Sequence, residues 1–333
     1  MTTKPTLKSL SNLLGLHPSL ISRVLRGASD ARVSDEKRQL IIDTARQVGY
    51  RPDRMGRSLK FRSSKIVAVL TPDITNPFHS LLFRGAESAA RLAGYQVILC
   101  HVDDAVANGL ELMESVTQGL VDGVLVACAW TPDPRLKALK TAGLPYVLIN
   151  RPSGDAGDVQ FVPDDVETGR LAAQALVERG HRRIVALFSD LRIGNMKGRR
   201  DSFAQFLREQ DPRCALTVFD GITQKSELRR LCAQLMSGAA DRPSAIFVPH
   251  SQQAATVLEE ALRHRVRVPD DLSVLGYGGD VDSAISAVCV PAEAMGAHAM
   301  KALIGLIEHG AAPTGETYRP ILNDGVTLSR YRD

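Results

Sequence analysis

The sequence predicts an N-terminal all-α head followed by an α/β body of two parallel-sheet subdomains. The first 50 residues space their apolar side chains at helical intervals and punctuate them with glycine. From Ile66 onward, short β-rich runs alternate with amphipathic stretches. Charge divides at the same place. Residues 1–65 hold 14 Lys and Arg against 5 Asp and Glu, net +9, whereas the remainder holds 27 against 32, net −5. At 333 residues the chain has room for two or three domains.

In the head, Leu7, Leu10, Leu13 and Leu14 form a helical stripe that stops at Gly15, a residue suited to a left-handed C-terminal position. Pro18 fits the first turn of a second helix, where its missing N–H costs nothing, and Ile21, Val24 and Leu25 supply the buried stripe. Ser34 is a good N-cap for a third helix, with Asp35 and Glu36 in its first turn and Ile41, Ala45 and Val48 on its apolar face; Gly49 and Pro52 end it. Two short helices joined through glycine and braced by a third make a helix-turn-helix. Its second helix suits a DNA major groove. There Ser19 and Ser22 can hydrogen-bond, Leu20 can touch a thymine methyl, and Arg23 has the fork that matches guanine. Phosphate contact for Ser22 and core packing for Leu20 remain equal alternatives. Lys4, Lys8, Arg26 and Arg32 suit phosphate, which supplies affinity without sequence information. A basic face alone is common; the helical pattern inside it favours nucleic acid.

In the body, "IVAVLT", "YQVILC", "GVLVA" and "YVLIN" read as strands, with helices in "FHSLLFRGAESAARLAG" and "PDPRLKALKTAG". A second series follows: a helix in "GRLAAQALVERGH", a strand in "IVALF", a helix in "GRRDSFAQFLREQ", a strand in "AIFVP", a helix from Ser251 to Arg265, and a strand in "LSVLGY". The boundary between the two series falls near Phe161 to Asp164. Ligands of such sheets bind at the carboxyl ends of the strands. Five widely spread cysteines, Cys100, Cys128, Cys214, Cys232 and Cys289, have no paired metal spacing and read as reduced, mostly buried thiols. No apolar run reaches the roughly 18 residues of a membrane span, and the N-terminus has no signal-peptide core, so a cytoplasmic location is expected.

Thr6-Leu7, Gly15, Ser22-Arg23-Val24 and "VSDEKRQLIIDTARQVGYRPDRMGRSLK" resemble the DNA-binding head and hinge of the lactose/galactose-repressor (LacI) family of bacterial transcription factors. The resemblance continues through almost the whole chain. It implies a head over 1–50, a hinge helix and linker over 51–65, and a body over 66–333 of the periplasmic-binding-protein type 1 fold. The body divides into an N-subdomain (66–162 and 292–320) and a C-subdomain (163–291 and 321–333), the segment "AEAMGAHAMKALIGLIEHG" returning to the first. The DNA-contacting set implied is Thr6, Leu7, Pro18, Ser19, Leu20, Ser22, Arg23 and Arg26 in the head, with Arg54, Leu59 and Lys60 in the hinge. Leu59 matches the leucine that wedges into the minor groove and kinks the operator. Pro18 departs from the family at a base-reading position. Asp53 stands where asparagine is usual, and Gly56 weakens the hinge helix by roughly 1 kcal/mol relative to alanine, so the hinge is expected to fold only on DNA.

The family's effector pocket matches Phe78, His79, Asn150, Arg151, Lys197, Arg199, His250 and Gly278. Here His250-Ser251 replaces Asn-Asp, Gly278 replaces an aspartate, Asn150 replaces another, and Ile222 stands at a commonly aromatic position. Carboxylates and aromatic faces that hold neutral sugars are depleted, while Arg151, Arg199, Lys197 and His250 remain as donors, which suits an anionic effector such as a sugar phosphate, sugar acid or organic acid. A cleft that has lost ligand binding is the competing reading. Trp130 follows a strand and either lines the cleft or shields it from water. The resemblance implies operator DNA, a small effector and a homodimer as partners; tetramer formation is left open, although no leucine-heptad tail follows "VTLSRYRD". No cofactor, metal or catalytic residue is implied. The rival class, an α/β enzyme, finds no GxGxxG, Walker, GxSxG or HExxH motif, and a transport solute-binding protein would carry an export signal instead of the head.

Overall fold

Thr6 opens the first helix in a computed structural model that describes residues 5–25, 33–50, 63–102, 119–238, 242–279, 283–311 and 314–331. Its Oγ1 accepts the Ser9 N–H at 3.1 Å and Ser9 Oγ accepts the Thr6 N–H at 2.8 Å, a reciprocal cap on α1 (Leu7–Leu14). Gly15, at φ 61°, ends that helix in the left-handed conformation. α2 (Pro18–Leu25) and α3 (Asp35–Gln47) follow, the latter capped by Ser34. Leu10, Ile21, Val24, Ile41 and Ala45 are buried and form the small core of this unit. Two stripe expectations fail. Leu13 is 63% exposed, because at about 100° per residue it lies roughly a quarter turn from the line of Leu7, Leu10 and Leu14. Val48 is the C-cap of α3, past its last turn, and is exposed.

Lys65 starts the second unit, which holds two six-stranded sheets. The first contains β1 (Ile66–Thr71), β2 (Gln96–His101), β3 (Gly123–Val126), β4 (Tyr146–Ile149), β5 (Gln160–Pro163) and, from much later, β11 (Glu316–Tyr318), all parallel, in the order β11-β5-β4-β3-β1-β2. The second contains β6 (Arg183–Leu187), β7 (Ala215–Phe219), β8 (Ala245–Phe247), β9 (Ser273–Gly278), β10 (Ala287–Cys289) and β12 (Ile321–Asn323), in the order β12-β10-β9-β8-β6-β7; only β12 is antiparallel. Central strands such as β3, with every residue buried, are apolar on both faces, as parallel sheets covered by helices require.

The helices are α4 (Pro77–Leu92), α5 (Pro134–Ala142), α6 (Asp165–Val177), α7 (Gly194–Gln210), α8 (Lys225–Ser237), α9 (Ser251–Arg263) and α10 (Ala292–His309). α9 stops two residues before the sequence reading because the chain turns there, with Arg265 at φ 57°. α4 and α10 approach until backbone meets backbone: a Cβ on Gly85 would stand 1.9 Å from the Glu293 carbonyl oxygen, and one on Gly296 would stand 2.0 Å from that of Leu82. α6 and α7 repeat this arrangement, a Cβ on Gly169 falling 2.3 Å from the Arg199 carbonyl oxygen. The chain passes between the sheets three times: after Pro163 into α6, after Cys289 into α10, and between Tyr318 and Ile321.

Candidate functional site

The carboxyl ends of the two sheets face a cavity of about 740 Å³, within the range of small-molecule sites. From the first sheet it is lined by Asp73 beyond β1, His79 in the first turn of α4, Trp130 beyond β3 and Arg151 beyond β4. From the second come Ser189 and Asp190 beyond β6, Lys225 at the start of α8, His250 beyond β8, and Gln252 and Glu259 on α9.

The wall's carboxylates are already engaged. Asp73 accepts the Thr75 N–H at 2.8 Å and its hydroxyl at 2.7 Å; burial alone would raise this carboxyl, but these donors hold it below the usual range. Asp190 accepts the Arg192 backbone N–H at 2.9 Å and its Nε at 2.9–3.0 Å, which likewise lowers it. Glu259 accepts from Arg229 at 3.0 Å and lies 3.3 Å from Lys225 Nζ. His79 Nδ1, 2.8 Å from the Asp73 carbonyl oxygen, is assigned as the protonated nitrogen because only a donor can serve there. Burial pushes the His250 imidazole down to about 4, with His79 and Arg151 adding repulsion, so the ring is neutral near pH 7.

Hydrogen bonds join the halves of the cavity. Gln252 Nε2 donates to Thr75 Oγ1 at 2.7 Å, and the Thr131 N–H reaches the Arg192 carbonyl oxygen at 3.3 Å. Trp130 lies between Arg192 and Arg135, whose guanidiniums are 5.0 and 5.5 Å from its ring. Behind the wall Arg199, 1% exposed, donates from Nε to Asp165 at 2.8 Å and from Nη1 to the Pro249 carbonyl at 3.3 Å.

A periplasmic-binding-protein-like domain model matches residues 173–325. The ribose operon repressor of Bacillus subtilis is 28% identical over 334 residues, spanning 98% of this chain and 99% of the relative. The lac repressor dimer bound to operator and an anti-inducer superimposes with a TM-score of 0.83 at 18% identity, covering 98% of this chain and all of that one. Along nearly its whole length the chain is similar to repressors of the LacI type. A LacI-family regulator from Enterococcus faecium, solved with bound ribose, matches 80% of this chain and all of its own with a TM-score of 0.71 and 21% identity. These relatives are repressors and regulators of transcription. Among the described residues no helix is long and apolar enough to cross a membrane.

Of the LacI-type effector positions anticipated from sequence, His79, Arg151 and His250 line the cavity. Phe78 is buried against the Tyr277 ring, 5.4 Å away. Asn150 is buried at φ 67°, Gly278 ends β9, and Lys197 is exposed on α7. Lys197 and Arg199 sit within α7, which starts at Gly194; the helix points Arg199 away from the cavity toward Asp165.

In the head, Thr6 caps α1 and Ser19 Oγ is bonded to His17 Nδ1 at 2.7 Å, while Leu7, Pro18, Leu20, Ser22 and Arg23 are half-buried. Arg26, Arg54, Leu59 and Lys60, with Lys4, Arg32, Asp53 and Gly56, lie outside the described residues. All five cysteines are thiols outside any disulfide; Cys128, Cys232 and Cys289 are buried. Sequence reasoning missed Asp73, Ser189, Asp190, Arg192, Lys225 and Glu259. Most follow a strand end or open the next helix, which is the signal that locates them.

Proposed function

We propose that this chain is a sequence-specific transcriptional repressor whose operator affinity is set by a small anionic effector in the cavity. The observation that carries the anionic class is that Asp73, Asp190 and Glu259 are each engaged by donors of the protein itself, Lys225 among them at Glu259, while Arg151 adds positive charge to the same wall. A neutral polyol needs acceptors for its hydroxyls, and protein donors already take part of the accepting capacity of these carboxylates; an anion needs donors. The head places Ser19, Leu20, Ser22 and Arg23 on one short helix with Pro18, the set proposed to read DNA with Thr6, Leu7 and Arg26, while Arg54, Leu59 and Lys60 would enter the minor groove. The lac repressor solved on operator is a dimer, and a homodimer reading half-sites one helical turn apart is the assembly proposed here.

Capture of genomic DNA fragments on the purified full chain tests the first half. One near-palindromic site persisting at raised salt supports it, and sequence-blind binding that vanishes with salt sinks it. Calorimetry against paired anionic and neutral sugars tests the second; heats from neutral sugars alone would overturn the anionic class.

A further inference from the structure

β8, β6 and β7 are neighbours in the second sheet, and each hands the chain to a helix that starts at the cavity: α9, α7 and α8 respectively. None of these helices has a side-chain cap. Their N-cap residues, His250, Ile193 and Gln224, make no capping hydrogen bond, and all three line the cavity. Elsewhere Thr6, Ser34, Asn76, Asp133 and Asp164 cap α1, α3, α4, α5 and α6, while α10, opened by Pro291, shares the lack of a side-chain cap. An uncapped helix leaves first-turn N–H groups without an intrahelical acceptor at the positive end of its dipole.

A second observation comes from Ser189, two residues beyond β6, the middle strand of the three. It is 8% exposed and lines the cavity, and its Oγ has no hydrogen-bond partner. Its carbonyl oxygen accepts the Gly221 N–H at 3.2 Å, which ties it to the loop leading into α8. His250 Nδ1, at the start of α9, is also buried without a partner. Lys225, on the first turn of α8, brings a cation that lies 3.3 Å from Glu259. Asp190 and Glu259, the nearby carboxylates, are held by Arg192 and by Arg229.

We infer that this corner of the cavity is a subsite for a phosphate monoester, its oxygens accepting from Ser189 Oγ and from the first-turn amides of α7, α8 and α9. Three converging donor groups suit a tetrahedral anion better than a planar carboxylate. The inference rests on the anionic-effector reading and narrows it: the rest of the effector, of sugar size, would lie toward Asp73, His79, Trp130 and Arg151.

The test uses the full chain and calorimetry with ribose 5-phosphate, glucose 6-phosphate and glycerol 3-phosphate, their neutral parents, and gluconate and citrate as carboxylates. Two variants, Gln224→Asp and His250→Asp, place a capping carboxylate on α8 and α9, so they occupy the amides while favouring the helices; Ser189→Ala removes the hydroxyl. The expected result is a phosphate ester that binds at least tenfold tighter than its parent, and that each capping variant weakens at least tenfold with an unchanged or higher unfolding midpoint. Phosphate esters that bind equally to wild type and variants would overturn the subsite and leave the anionic effector standing. Binding of carboxylates but of no phosphate ester would do the same. Binding of neutral sugars alone would overturn both.

Discussion

The guanidinium of Arg199 lies over the ring of Tyr277, 3.7 Å from its centroid, with Asp165 closing the other side through an Nε–H bond of 2.8 Å. Burial raises the Asp165 carboxyl to about 6 and Arg199 opposes that rise. Removing one member strands the other in an apolar wall, so Arg199→Met is expected to lower stability by about 3–5 kcal/mol, and the double variant with Asp165→Leu to recover part of it. Urea denaturation of the two variants measures this; a single variant as stable as wild type would refute the structural role.

His250 sets a pH dependence. Its imidazole titrates in the folded chain at about 4, against an ordinary value of 6.5. The unfolded chain therefore binds a proton first as pH falls, and the stability this group contributes is full above about 6.5 and lost between there and about 4. The raised Asp165 works in the opposite sense, gaining stability as pH falls through about 6, so the comparison must be between variants. Unfolding midpoints of His250→Asn are expected to fall less steeply over pH 6.5 to 4 than those of wild type.

Gly85 and Gly296 allow α4 and α10 to touch through their backbones. Gly85→Ala or Gly296→Ala forces a methyl into a carbonyl oxygen and must part the helices, a change expected to cost about 1–3 kcal/mol or more. Gly305→Ala on the same α10 has open space beside its Cβ and should be neutral or stabilising, which thermal unfolding of the three variants can compare.

Trp130 is the single tryptophan of the chain and lies between two arginines at the cavity rim. Effector binding is expected to shift its emission, and Arg192→Ala to remove much of the response by unpinning one face of the ring. A titration with no change in intensity or wavelength would place the ligand away from Trp130.

In the head, Arg23→Ala is expected to lose about 1–3 kcal/mol of discrimination between operator and mismatched sites, whereas Leu59→Ala should weaken binding to a kinked operator without altering base preference at the half-sites. Gel-shift titrations on matched and mutated operators separate the two. Effector should change operator affinity by about 5 to 150-fold, and operator should change effector affinity by the same factor.

The helix stops at Gly15 and Gly49 and the caps at Thr6 and Ser34 are local, and the sequence reveals most of them because a cap or a left-handed glycine acts within four residues. The apolar runs of β1, β3 and β4 were legible for the same reason. Three-residue strands such as β10, β11 and β12 were not, since their pairing depends on partners elsewhere in the chain, as when Cys289 pairs with Ile321. The destination of Arg199 was also hidden: its carboxylate partner lies 34 residues away, and only the packing of α6 on α7 at Gly169 brings the two together. His79, Arg151 and His250 were found because they match effector-pocket positions of the resembled family, and Arg151 and His250 also lie just beyond strand ends. Glu259, two turns into α9, carried no such sign.

The three passages between the sheets bear on how such a protein can be cut and recombined. Because β11 returns to the first sheet after the second has been laid down and β12 then leaves again, neither lobe corresponds to one uninterrupted stretch of coding sequence. A protease nick in one crossover leaves the lobes tethered by the other two. A chimaera that exchanges the second lobe for that of a relative needs three junctions, near Pro163, Pro291 and Arg319, and a single junction at any of them would build at least one sheet from both parents.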